Sequence, residues 1–298
     1  MLEFRPVSLK DRAMVTARMR SAGYYGSDYT FANLYNWAEI HNICIAEMDG
    51  LLIVRSGRER YSYLFPMGEG DVRPALEAIA EASHSLGHTL THYNMPREAM
   101  ETLDALYPGR FLFREQRDNF DYIYTRESLA TLAGKKLHGK RNHIARFKKE
   151  HPDWSYEPLT TQNLGDAWEM NVEWCRQNDC AGTLSLRQES CAVYRAFQNF
   201  EAEELVGGLL RAEGRVVAFT MGSPVTDDTF VVHIEKAFAD VEGAYPMINQ
   251  QFVANSLGAY TYVNREDDVG DEGLRRAKLS YHPVCLYERF EAVERPAT

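Results

Sequence analysis

The feature that most narrows the fold is an order of elements that the chain runs through twice: strand, two helices, an antiparallel meander, helix, strand, helix, strand. In the first pass LEFRPV reads as a strand and is followed by helices over 9–21 and about 31–40. The runs NICIAEMDG, LLIVRSGRE and RYSYLFPMG are apolar and β-branched, with an Asp49-Gly50 turn after the first, which reads as neighbouring antiparallel strands. Asp71 and Pro74 then open a helix that Gly87 closes. TLTHYNM, REAMETLDALYPG and FLFREQRDNFDYIYT add a strand, a helix and an apolar, aromatic run.

The second pass restates this order. A basic helix over 128–150 is closed by Pro152, and WSYEPLT is a strand. Helices at about 161–177 and 185–203 lead to a hairpin, LVGGLLRAEG with RVVAFTMGSPV, turning at Glu213-Gly214. TFVVHIEKAF is a strand, AYPMINQQFVANSLG a helix, YTYVNRE a strand, DEGLRRAKLSY a short helix and CLYERFEAV the last strand. Meanders with helices added afterwards predict an α/β (α+β) fold with mixed, mostly antiparallel central sheets flanked by helices. A length of 298 residues suits two domains, set here at 1–125 and 126–298.

Several classes fall away on composition. No stretch reaches the ~20 uninterrupted apolar residues of a membrane span, so no integral membrane segment is expected. The five cysteines (Cys44, Cys175, Cys180, Cys191, Cys285) are scattered without a CxxC pair, which fits reduced thiols, a cytoplasmic location and no metal site. A net charge of −10 argues against DNA as a partner. Against that background KKLHGKRNHIARFKK (135–149) stands out, with seven Lys or Arg and no acid.

That basic segment supplies the first candidate residues. Helical spacing puts Lys136, Lys140 and His143 on one face and Arg141, Ala145 and Lys148 on another, with Leu137, Ile144 and Phe147 as the docking stripe. With Asn142 interleaved, such a face is a cradle for a phosphate group or a merely solvated helix. In HIEKAF, strand alternation pairs His233 with Glu235 on one face, a candidate general-base pair, and sends Lys236 to the other. Gly243 and Ala244 open the next helix, whose unpaired N–H groups favour an anion, although Asp240 and Glu242 precede them. Asn249 lies within that helix. In the last block Asn264, Arg265, Glu266 and Asp267 end an aromatic strand, and Arg275 and Lys278 share a helix face three residues apart. These are candidate substrate-binding groups; the alternative is a charged loop with a salt-bridged helix.

Three blocks, GKKLHGKRNHIARF (134–147), HIEKAFADVEGAYPMINQQF (233–252) and YVNREDDVGDEGLRRAKLSYHP (262–283), resemble an uncharacterised bacterial family similar to the C-terminal domain of lysyl-phosphatidylglycerol synthase (phosphatidylglycerol lysyltransferase). The element order is similar to that of tandem GNAT and Fem-type acyltransferases. The resemblance implies two GNAT-like domains, the second holding the site. It also implies direct transfer of an acyl or aminoacyl group to an amine or hydroxyl acceptor. Gly243-Ala244 would meet the donor, and Tyr281 stands where many GNAT enzymes keep a tyrosine acid. The implied donor is aminoacyl-tRNA, met through its acceptor end, or an acyl-coenzyme A; the acceptor is a small molecule or a lipid headgroup. Two alternatives stay open: a catalytically inactive GNAT pair that binds a ligand as a regulator, and an acetyl-coenzyme A-dependent N-acetyltransferase.

Overall fold

In a computed structural model, which describes residues 2–296, the chain forms two compact units. The first holds the chain up to Asp121, together with Asp267–Glu272 and the segment from Leu286 onward. The second holds Tyr122–Glu266 and Gly273–Cys285.

The first unit runs β1 (Arg5–Pro6), α1 (Arg12–Ala22), α2 (Phe31–Asn36), α3 (Ala38–His41), β2 (Cys44–Met48), β3 (Leu51–Ser56), β4 (Ser62–Tyr63), β5 (Met67–Gly68), α4 (Val72–Ser85), β6 (Thr91–Met95), α5 (Arg97–Leu106) and β7 (Phe111–Glu115). Asp71 caps α4 by accepting from the Arg73 N–H at 3.0 Å, and the helix buries Ala75, Leu76, Ile79 and Ala80. They pack with Ile53, Tyr63, Phe65, Leu103 and Phe111 into the core of this unit. A fully buried arginine, Arg289, organises its polar interior. Arg289 Nη2 donates to Asp121 at 2.8 Å and Nε to Asp28 at 3.2 Å. Asp121 also accepts from the Ser27 N–H and hydroxyl, tying down the loop before α2.

The second unit runs β8 (Asp121–Thr125), α6 (Arg126–Thr131), α7 (His138–Glu150), β9 (Ser155–Pro158), α8 (Leu164–Gln177), α9 (Leu184–Gln198), β10 (Val206–Ala212), β11 (Arg215–Pro224), β12 (Thr229–Ala237), α10 (Ala244–Ser256), β13 (Tyr262–Asn264), α11 (Glu272–Leu279) and β14 (Cys285–Tyr287), with α11 entered at its second residue and β14 left after its first. Its sheet has the order β14-β8-β13-β12-β11-β10-β9. The β12–β13 pair is parallel, whereas β8–β13, β11–β12, β10–β11 and β9–β10 are antiparallel. The expected mixed, mostly antiparallel sheets flanked by helices are what the chain forms.

Two expected elements are divided. The basic helix expected over 128–150 is broken between α6 and α7, because Leu132 takes the left-handed conformation (φ 49°) and Gly134 follows at φ 88°. The expected last strand splits into β14 and β15 (Phe290–Glu294), and β15 lies between β6 and β7 in the sheet of the first unit. No helix among the described residues is long and apolar enough to cross a membrane.

Candidate functional site

Where β12 and β13 part, the second unit gathers its charges. Their parallel pairing runs from Thr229↔Tyr262 to Val231↔Asn264 and stops. Beyond that point β12 continues to Glu235, while the other chain turns away through Arg265 and Glu266. Glu266 adopts a left-handed backbone (φ 55°), and its N–H donates to Asn264 Oδ1 at 2.7 Å. Asn264 is therefore a buried turn-former rather than a substrate ligand.

Glu235 lies between two partners. Arg265 Nη2 donates to Glu235 Oε1 at 2.6 Å, and Asn249 Nδ2, from α10, donates to Oε2 at 2.9 Å. Arg265 is sandwiched by aromatic rings, its guanidinium carbon 4.7 Å from the Tyr281 centroid and 5.8 Å from that of Tyr124. Burial works against its charge, but Glu235 and the two phenols outweigh that and raise its pKa further. Two polar atoms at this cluster lack hydrogen-bond partners: Arg265 Nη1, a donor, and Asn249 Oδ1, an acceptor.

Lys140 and Tyr281 complete the cluster. The ammonium of Lys140 lies 4.1 Å from the centre of the Tyr281 ring. Burial lowers the Lys140 pKa and repulsion from Arg265 lowers it further, while Glu235 acts in the opposite sense. Burial pushes the Tyr281 phenol up to about 12, so it stays protonated at neutral pH. Lys140 also lines a cavity of about 260 Å³ at the start of α10, with His143, Phe238, Glu242, Gly243 and Tyr245 among its walls.

One wall of that cavity is closely packed. Gly243 has φ +84°, and a Cβ there would stand 2.5 Å from the carbonyl oxygen of His143 on α7. The glycine is needed for close packing of α7 on the start of α10, whatever it binds. Glu242, one of the two acids expected to repel a pyrophosphate, is held by Arg146 at 2.5 Å and lies 3.5 Å from His143 Nδ1. Its charge is thus partly balanced at the cavity wall.

Several expectations change with these contacts. The pairing of His233 with Glu235 is not made; His233 Nδ1 meets Glu266 Oε1 and its Nε2 meets Ser223 Oγ, both at 2.8 Å. Lys136 lies in the turn before α7, not on its face with Lys140 and His143. Arg141 donates to the carbonyls of Leu132 and Gly134, closing the α6–α7 break. Asn142 bonds His138 at 3.2 Å. Lys236 is buried against Glu189 (2.9 Å) and over the Trp174 ring (3.6 Å), so it meets neither Glu235 nor a substrate opening. Asp267 accepts from the Val269 N–H, a local turn. Lys278 was expected to hold an anion with Arg275, but its ammonium donates to the Arg265 carbonyl at 2.6 Å and thereby fixes the Arg265 backbone. Arg275 is half-buried on α11. Ser223 and Tyr124 went unnoticed in the sequence. Tyr124 is one apolar strand residue among several, and Ser223 had only its place after Gly222 to mark it.

Known proteins resemble the chain along most of its length. Residues 19–293 match the family described as phosphatidylglycerol lysyltransferase, C-terminal. A conserved protein of unknown function from Bacteroides thetaiotaomicron is 38% identical with a TM-score of 0.95, covering 99% of this chain and 100% of that one. The C-terminal domain of a putative lysylphosphatidylglycerol synthetase from Agrobacterium fabrum superposes with a TM-score of 0.68 at 13% identity, covering 97% and 93%. L-PGS from Bacillus licheniformis gives 0.66 at 16%, covering 98% and 93%. An uncharacterised protein of Mycoplasmoides gallisepticum is 25% identical over 187 residues, 60% of this chain and 57% of that protein. The chain therefore spans little more than half the length of that curated relative. The chain's own fold is a mixed α/β architecture, with two mixed sheets flanked by helices.

Proposed function

The chain belongs to the family of phosphatidylglycerol lysyltransferase C-terminal domains, and on that premise we propose that it transfers an aminoacyl group from an ester donor to an amine or hydroxyl acceptor. The observation that carries this reading is the cluster of Arg265, Glu235, Tyr281 and Lys140, with its orphan donor Arg265 Nη1, beside a cavity that Lys140 helps to line. Acyl transfer builds negative charge on the carbonyl oxygen and then on the leaving oxygen. Donors fixed in advance inside a low-dielectric site stabilise that charge more than water does. Arg265 Nη1 and the Lys140 ammonium supply two such donors. Tyr281 supplies the third: a phenol at about 12 is a poor proton source at neutral pH but a good hydrogen-bond donor. Asn249 Oδ1 is the acceptor available to the ammonium of a bound aminoacyl group. The aminoacyl-tRNA acceptor end is the donor we favour, and a small molecule or a lipid headgroup is the acceptor we propose, a choice the family membership supports.

Acetyl-coenzyme A transfer is a second reading, favoured by one finding. The cavity lies at the start of α10, where backbone N–H groups attract an anion, and Arg146 offsets the charge of Glu242. Calorimetry separates the two. A non-hydrolysable lysyl- or alanyl-adenosine analogue should bind the wild type and lose at least tenfold in affinity in Arg265→Ala. Binding of acetyl-coenzyme A alone would overturn the aminoacyl reading. Binding of neither ligand to folded protein would leave a ligand-binding regulator.

A further inference from the structure

The C-terminal end of α8 brings two thiols together. The helix stops where Asp179 takes the left-handed conformation (φ 51°), and the Cys180 N–H bonds back to the Cys175 carbonyl at 3.1 Å. A helix closed by such a six-to-one bond around a left-handed residue sets the side chains of the two bonded residues against each other. That contact is commonly apolar; here both partners are cysteines. The sequence conceals the pair, because its members stand five positions apart instead of the three of a CxxC motif.

The neighbouring groups agree with this placement. Cys175 Sγ lies 3.3 Å from Ser190 Oγ on α9, and the Cys180 thiol meets both Cys175 and Ser190. The Ser190 hydroxyl is itself anchored on the Leu186 carbonyl at 2.8 Å. Both cysteines are free thiols. A disulfide needs Cα atoms within about 7 Å, and two residues joined by an N–H···O bond of 3.1 Å meet that limit. Cys175 is half-buried and open to a small oxidant, whereas Cys180 is buried, and burial pushes its thiol up.

Contacts lead from this turn to the cavity at the start of α10. Asn178, between the two cysteines, holds the Trp174 carbonyl through its backbone N–H at 3.1 Å and its Nδ2 at 2.8 Å. Trp174 Nε1 donates to the Ala237 carbonyl at 3.1 Å. The Tyr245 side chain, part of the cavity wall, meets that same carbonyl and the Trp174 side chain.

We propose that Cys175 and Cys180 form a reversible oxidation site, which peroxide converts to a disulfide and a dithiol restores, and that closing it stiffens the cavity wall at Tyr245. The site stands independently of the acyl-transfer reading. Cys175 Sγ, as thiolate, attacks one oxygen of hydrogen peroxide. The S–O bond forms, the O–O bond breaks, and the departing hydroxide takes the proton the thiol released, giving water. Cys175 is then a sulfenic acid, two electrons having passed to the peroxide. Cys180 Sγ gives up its proton and attacks Cys175 Sγ. The S–S bond forms, the S–O bond breaks, and the second hydroxide leaves with that proton as water. A reducing dithiol reverses the step by exchange, restoring two thiols and becoming a disulfide itself. The more accessible thiol reacts first and the adjacent one resolves it, the usual order in redox-sensitive pairs.

Trypsin reads the outcome directly. Cleavage after Lys149, Arg176 and Arg187 puts the two cysteines on separate peptides, 150–176 and 177–187. Folded protein treated with hydrogen peroxide and then alkylated should yield these two peptides joined, and dithiothreitol before alkylation should separate them. Cys191 and Cys285 are exposed and serve as the comparison; the Cys175–Cys180 link should exceed any link to either by about tenfold or more. In Cys180→Ser the sulfenic acid should persist, and dimedone labelling of Cys175 should rise about tenfold or more over the wild type. Hydrogen exchange in the linked protein should slow by about threefold or more over 174–183 and over 237–245. Absence of the link in folded protein, a link that forms only in urea, or preferred linkage to Cys191 or Cys285 overturns the oxidation site. Unchanged exchange over 237–245 in the linked protein overturns the connection to the cavity.

Discussion

Acid should destabilise the first unit through one residue, His92. Its side chain on β6 is fully buried among Tyr63, Phe65 and Phe111, whose ring centroids lie 6.1–6.5 Å from the imidazole. Burial is the main reason its pKa falls from 6.5 to about 4, and the backbone of Leu64 and Tyr63 opposes the shift only in part. The sign follows from linkage. The folded protein holds His92 neutral, whereas the unfolded chain takes up a proton at its ordinary pKa, so stability is lost as pH falls below 6.5 and the loss levels off near 4. A displacement of about 2.5 pKa units at about 1.36 kcal/mol each limits the effect to roughly 3 kcal/mol, of which about 2 kcal/mol falls between pH 7 and pH 5. Urea unfolding at both pH values, on the wild type and on His92→Leu, isolates that share, because every other titrating group cancels in the difference. The wild type should lose about 2 kcal/mol more than the variant. Equal losses would mean that His92 is protonated inside the fold, and the burial argument would fail.

Three further substitutions test separate parts of the structure. Tyr281→Phe keeps the ring against Arg265 and Lys140 but removes the hydrogen-bond donor; with the donor that calorimetry selects, kcat should fall by about 10²–10³ at unchanged thermal midpoint, the usual cost of one oxyanion donor. Gly243→Ala meets both a φ of +84° and the His143 carbonyl at 2.5 Å. It should lower stability by about 1–3 kcal/mol in thermal melts, and an unchanged midpoint would refute the packing role. Arg289→Met leaves Asp121 buried without its cation and should cost about 3–5 kcal/mol in denaturant unfolding. Adding Asp121→Asn should recover part of that loss, and a double variant no better than the single one would contradict the pairing.

The repeated element order was legible because each element carries its own local signal. The Asp71 cap, the Asp49-Gly50 turn and the β-branched meander strands each depend on residues a few positions apart. What stayed hidden depends on partners far along the chain. EAVE reads as strand, but nothing local says that β15 inserts between β6 and β7 in the other unit. The break between α6 and α7 turns on Leu132, an apolar residue in a left-handed conformation that its type seldom adopts. Lys278 and Arg275 share a helix face as the spacing requires, but which of them meets the Arg265 backbone is decided by the turn of the chain after β13.

The mispairing of His233 has the most informative cause, because it concerns the candidate site itself. Alternation along one strand puts residues i and i+2 on the same face. For β12 that rule holds from Ile234 onward: Lys236 meets Trp174 and Glu189 on α8 and α9, and Glu235 meets Asn249 on α10. One residue earlier His233 is skipped in the register with β11. Glu235 is left to hold Arg265, and His233 is left to join Ser223 with Glu266. Arg265 and Glu266 are consecutive, so the short stretch where β13 ends supplies a partner to both. A single bulge thereby turns one expected acid–base pair into two distinct groups at adjoining positions, a charged cluster beside the cavity and a serine–histidine–carboxylate array. The array depends on Gly222, because only a glycine lets β11 come close enough to Val231 for the next residue to reach the released imidazole.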